Sequence, residues 1–127
     1  MIDFDKMFDS LATYGDKSFP DAAFVVEKGA EKDDKGKTLQ KYRHLPHHTK
    51  SATDPMAHGT IDLPHLRNAL ARVNQVKPVK ESVANFRKRA KSHLQRHAKA
   101  VLKSYKSKSF LTSKEQDFVE FYQQLGD

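Results

Sequence analysis

The sequence predicts a mainly α protein, with three to four helices and a short β-hairpin or extended segment near residues 22–42. Three observations lead there. Apolar residues recur at helical spacing in four separate stretches. Only one short run, Ala22-Ala23-Phe24-Val25-Val26, is rich in β-branched and aromatic residues, and a turn-rich segment follows it. At 127 residues the chain is the size of one domain, and 37% hydrophobic against 31% charged residues implies a modest core.

The first stretch, 2–12, places Phe4, Met7, Phe8 and Leu11 on one face with Asp3, Asp5, Lys6 and Asp9 between them, so an acidic amphipathic helix is expected. Pro20 then introduces the extended run, and residues 28–37, with Gly29 and Gly36, read as a turn returning through 38–42. Residues 42–59 hold Pro46, Pro55, Gly59 and four histidines, and read as an irregular loop of the kind that is usually functional or mobile. Asp62 can cap a helix that takes Pro64 in its first turn and ends near Gln75, ahead of Pro78. The longest helix is expected over 79–104, with Val83, Phe86, Ala90, Leu94, His97, Val101 and Tyr105 on its apolar face. A last helix should begin near Ser113, capped by Ser113-x-x-Gln116, with Phe118, Phe121, Tyr122 and Leu125 on its apolar stripe. The expected organisation is therefore an N-terminal helix in 1–18, a central module over 19–106 and a C-terminal aromatic helix in 107–127, all in one compact domain.

Charge is distributed unevenly. Residues 61–110 carry thirteen Lys and Arg against two acids, Asp62 and Glu81, although the whole chain is only +7. The remainder is net acidic. A basic block segregated on a helix is the electrostatic footprint of a polyanion binder. Cysteine is absent, which excludes disulfides, thiolate metal sites and cysteine nucleophiles. The first residues are acidic with no apolar run, and no stretch approaches the length of a membrane span, so a soluble intracellular protein is expected.

Two segments carry a resemblance. Lys41-Tyr42-Arg43-His44-Leu45-Pro46-His47-His48, followed by Leu63-Pro64-His65-Leu66-Arg67-Asn68-Ala69-Leu70-Ala71-Arg72-Val73-Asn74-Gln75, resembles a small module that recurs in bacteriophage and prophage proteins. That module has an extended start, a His-Pro turn, a helix of the form HxRNALARxxQ and then a basic helix. The match covers roughly residues 19–101. The resemblance implies a phage-encoded protein of the host cytoplasm or the phage particle. It carries no catalytic residue with it. The 49–59 loop is longer than the module's usual one, and both aromatic, acidic ends lie outside it.

The basic helix is the leading candidate site. Lys88, Arg89, Arg96, Lys99, Lys103 and Lys106 cluster opposite the apolar stripe, with Arg87 and Lys91 at the margin and Arg67 and Arg72 on the preceding helix as secondary contacts. Such a face neutralises phosphates without reading sequence, and Arg89 and Arg96 suit bidentate contacts best. The helix pair, with a turn around 76–78, is compatible with a helix-turn-helix. His93 and His97, spaced i, i+4, are weak metal candidates that His44, His47, His48 or His65 would have to complete. Leu94 stands where a metalloprotease helix would carry its glutamate, and a structural or solvated role is the commoner fate of such histidines. No nucleophile elbow or phosphate-cradling glycine loop is present.

The expectation is therefore a non-enzymatic accessory protein, without cofactor, that binds nucleic acid, double-stranded DNA first, through the basic helix. A virion-associated or host-takeover protein docking on an acidic protein surface is the alternative. A metal-dependent nuclease built on His47, His48 and Asp54 comes third. Phe118, Phe121 and Tyr122 are expected to complete the core of a small domain, with an interface for a partner or for a homodimer as the alternative, and no membrane contact is expected.

Overall fold

The structure, a computed structural model, describes residues 19–125. The amphipathic helix expected at 2–12 lies outside them. Among the described residues the protein is mainly helical, with one two-stranded antiparallel sheet.

Pro20 leads into a 3-10 turn, Asp21–Ala23, and then strand β1, Val25–Val26. Its partner β2 is Arg43–His44, in the register Val25↔His44 and Val26↔Arg43. The return strand is thus later than the expected 38–42, because residues 40–42 form a second 3-10 turn. Side chains hold the longer connection. Asp33 Oδ1 accepts from the Lys35 and Lys37 N–H groups at 2.9 Å each, and Thr38 Oγ1 donates to Asp21 Oδ2 at 2.5 Å. Gly29 and Gly36 take positive φ there, a region open to glycine at no steric cost.

The stretch expected as an irregular loop is pinned at both ends. His47 N–H donates to Ala23 O, Asp62 N–H donates to His47 O, and His48 pairs with Ile61 across an antiparallel bridge. Helix α1, Leu63–Arg72, follows at once, with Asp62 accepting from His65 N–H as its N-cap and Pro64 in the first turn.

Helix α2, Val83–Tyr105, starts four residues later than periodicity suggested. The N–H groups of Val79, Lys80 and Glu81 converge on the Glu27 carboxylate, which holds 79–81 as a bend outside the helix until Ser82 caps it. This also removes the helix-turn-helix reading. A 3-10 turn, Val73–Gln75, and a seven-residue irregular segment, 76–82, separate α1 from α2, where that motif needs a tight turn of three or four residues.

Helix α3, Ser113–Gln124, is capped one residue earlier than expected. Thr112 accepts from Glu115 N–H while the Glu115 side chain accepts from Thr112 N–H. Both orphan donors are satisfied reciprocally, so Thr112→Ala should cost about 1 kcal/mol. Urea denaturation should show a lower midpoint with an unchanged slope; Ser113→Ala should leave the midpoint in place.

One core joins these elements. Leu66, Ala69 and Leu70 from α1 and Val73 from the 3-10 turn after it meet Phe86, Ala90, Leu94 and Ala98 from α2, with Phe118 from α3 closing the end. Phe118 is only 1% exposed, so it completes the core and does not offer an interface. Phe121 and Tyr122 are half-buried against the same cluster. The C-terminal segment therefore belongs to the module's own core.

Candidate functional site

The outward side of α2 carries an exposed row, Lys88, Arg96, Lys99 and Lys103, which Lys106 continues at the C-cap. None of the five is in an ion pair among the described residues. At about 1.5 Å per residue the row spans roughly 27 Å of rigid helix. Lys103 also falls in the last turn, where positive charge complements the helix dipole.

Arg89 does not belong to that row. Its Nη2 donates to Glu81 Oε1 at 2.7 Å and to Val26 O at 2.9 Å, and Nε donates to Glu81 Oε2 at 3.2 Å. It ties α2 to β1 and to the bend ahead of α2. The secondary arginines are similarly occupied. Arg87 Nε donates to Val76 O at 2.9 Å, Arg72 Nη1 donates to Gln75 Oε1 at 3.0 Å, and the Arg67 guanidinium lies 4.7 Å from the centre of the Phe121 ring. Lys91 is half-buried beside Leu70, Val73 and Tyr122.

Glu27 organises the segment that launches α2. It is 2% exposed, yet it accepts from three consecutive N–H groups, those of Val79, Lys80 and Glu81, at 2.9, 2.6 and 2.9 Å. His44 Nε2 adds a contact at 2.6 Å. Burial pushes the Glu27 carboxyl up, but His44 and the three N–H groups more than reverse this and hold it at about 2.

The strongest convergence of chemistry is a histidine cluster. His47 and His48 arrive from the pinned loop, and His93 and His97 from one edge of α2. One ligating atom from each lies within 4.8 Å of every other. His47 Nε2 is 3.2 Å from His93 Nε2, which is 3.1 Å from His97 Nε2. His47 and His48 are fully buried and His97 is 1% exposed, while His93 is half-buried, deeper than its place off the apolar stripe suggested.

Hydrogen bonds around the cluster orient each ring. His47 Nδ1–H donates to Leu45 O at 2.7 Å, and His48 Nδ1 contacts Thr60 Oγ1 at 2.9 Å. The exposed His58 meets His97 Nδ1 through its own Nδ1 at 2.8 Å. The Pro55 carbonyl oxygen lies 2.9 Å from His97 Nε2 and 3.2 Å from His48 Nε2. Burial and the neighbouring rings push His47 down to about 2, and His93 and His97 to about 4, while burial also lowers His48. All four are therefore neutral at pH 7. Leu45, directly before Pro46, holds φ at +54°, a left-handed conformation that costs a non-glycine residue of order 1–3 kcal/mol. That kink aims the Leu45 carbonyl at His47.

A cavity of about 490 Å³ opens beside the cluster, with Val25, Thr53, Met56, Arg89 and His93 on its walls. Asp54, the acid of the imagined nuclease site, spends Oδ1 on Met56 N–H, and among the described residues the group of ligating atoms consists of imidazoles alone. His65 stays apart, paired with Asp62 at 2.9 Å, and His44 stays on Glu27.

Comparison with protein-family models, with curated proteins and with solved structures finds no match for this chain. No helix among the described residues is long and apolar enough to cross a membrane.

Proposed function

We propose that this chain is a non-enzymatic accessory protein of phage type that binds double-stranded DNA through the exposed side of α2. The observation that carries the reading is the row Lys88, Arg96, Lys99, Lys103 and Lys106, exposed along α2 and its C-cap and, among the described residues, in no ion pair of the kind that Arg89 makes with Glu81. A helix face kept merely for solubility mixes both signs of charge, and this one does not. Long flexible lysines with one arginine suit sequence-independent contact with phosphates, each contact releasing condensed counterions. The phage attribution rests on the resemblance of the His-Pro turn and the RNALAR helix, both of which here build the fold beneath α2.

The test is binding of the full chain to a short labelled duplex across a salt titration, followed by anisotropy. Five phosphate contacts give a log–log slope of about −4.5, a loss of roughly 500-fold between 50 and 200 mM salt. The duplex should remain intact throughout. Absence of binding at low salt would overturn the proposal and transfer the basic face to an acidic protein partner.

A further inference from the structure

We infer that His47, His48, His93 and His97 form a binding site for a single zinc-class divalent ion, which staples the 43–62 loop to α2. Sequence spacing alone made His93 and His97 weak candidates; the fold supplies the two further imidazoles.

The donor set selects the class of metal. Four imidazoles with no carboxylate and no thiolate suit zinc, copper or nickel, and do not suit magnesium or calcium, which take oxygen ligands. Spacing selects the geometry. Nitrogens bound at about 2.0–2.1 Å to a tetrahedral zinc stand roughly 3.3 Å from one another. The Nε2 atoms of His47, His93 and His97 are separated by 3.2 and 3.1 Å along the chain of contacts.

Hydrogen bonding alone cannot satisfy these contacts. His47 Nδ1–H is committed to Leu45 O, so His47 Nε2 presents a lone pair. With protons on Nε2 of both His93 and His97, two N–H groups oppose each other across 3.1 Å. With the proton only on His97, the lone pairs of His47 and His93 face each other across 3.2 Å. With it only on His93, the His97 lone pair faces Pro55 O across 2.9 Å. Every neutral arrangement leaves one repulsive, part-buried contact, of the kind that costs stability. A cation that receives all three lone pairs removes it, and leaves Pro55 O as a further oxygen facing the ion.

The surroundings match those of a built site. Metal-binding imidazoles generally use the second nitrogen to hold a carbonyl or another acceptor, which fixes the tautomer. Leu45 O does this for His47, and Thr60 and His58 are placed to do it for His48 and His97. The cavity at His93 is the access route. Asp54, whose field reaches His48, is the nearby acid that offsets part of the added charge.

The experiment uses the full chain, stripped with chelator and titrated with Zn²⁺ against a chromophoric competitor. The expected result is one ion per chain and a Tm raised by roughly 10 °C at a hundredfold excess over Kd. Co²⁺ should give the intense visible absorption of a four- or five-coordinate nitrogen site. His93→Gln, at the half-buried member of the cluster, should weaken zinc by at least roughly 100-fold, a direct ligand mattering more than an outer-shell partner. His65→Gln, outside the cluster, should not weaken it. Zinc bound equally well by His93→Gln would mean scattered surface histidines and would overturn the inference. So would a wild-type chain that binds no zinc, or a Co²⁺ spectrum that stays that of the hydrated ion.

Discussion

Glu27→Ala should lower the stability of the fold by about 3 kcal/mol at pH 7, a large fraction of the 5–15 kcal/mol that holds a typical domain. The substitution removes the acceptor for the N–H groups of Val79, Lys80 and Glu81 together and leaves His44 without its partner. It also frees the bend over 79–81 that sets where α2 begins. Glu27→Gln tests the charge separately, since its amide nitrogen must face at least one of those N–H donors. The pH dependence has a definite sign. The Glu27 carboxyl is held at about 2 in the fold against an ordinary 4.5. Its contribution is therefore complete above about pH 4.5 and is lost as pH falls from there toward 2. Wild type and Glu27→Gln should differ widely in urea midpoint at neutral pH and converge through that window. Parallel midpoint curves down to pH 2 would show that the carboxylate charge is not what holds the segment.

The helices were legible because their period is local. Phe86, Ala90, Leu94 and His97 repeat at helical spacing, and burial of one face follows from that pattern alone. Element ends were less legible, for reasons that particular residues explain. Thr112 and Ser113 are both cap-competent, and only the reach of Glu115 back to Thr112 decides between them. The start of α2 depends on Glu27, more than fifty residues upstream, which no local window sees. Arg89 falls beside Arg96 on a helical wheel, yet the approach of Glu81 and Val26 turns its guanidinium inward. The histidine cluster was half visible. The i, i+4 spacing of His93 and His97 suggests a pair of metal ligands that His44, His47, His48 or His65 would have to complete, while the place of His97 on the apolar stripe suggests an ordinary core histidine. The spacing could not say which of these complete the pair, because 46 residues separate His47 from His93 and the kink at Leu45 decides where His47 points.

The other large effect should come from the exposed row of α2. Lys88, Arg96, Lys99 and Lys103, changed together to alanine, should reduce DNA affinity by roughly three orders of magnitude at low salt and bring the log–log salt slope from about −4.5 to about −1. Each lost cation removes about one released counterion, so the slope reports how many of the four touch phosphate, whatever the intrinsic affinity. The fold should be indifferent, because these side chains are exposed and bury no partner. Surface changes of this kind fall within about 0.5 kcal/mol, and the alanines favour helix. An Arg89→Ala chain should behave in the opposite way. It loses three bonds to Glu81 and Val26, so stability falls while the salt slope is retained. The contrast separates a docking face from a structural one on a single helix. If the quadruple variant kept the full slope while Arg89→Ala flattened it, the phosphate-contacting side of α2 would be the one that faces β1, and the assignment of the exposed row would fall.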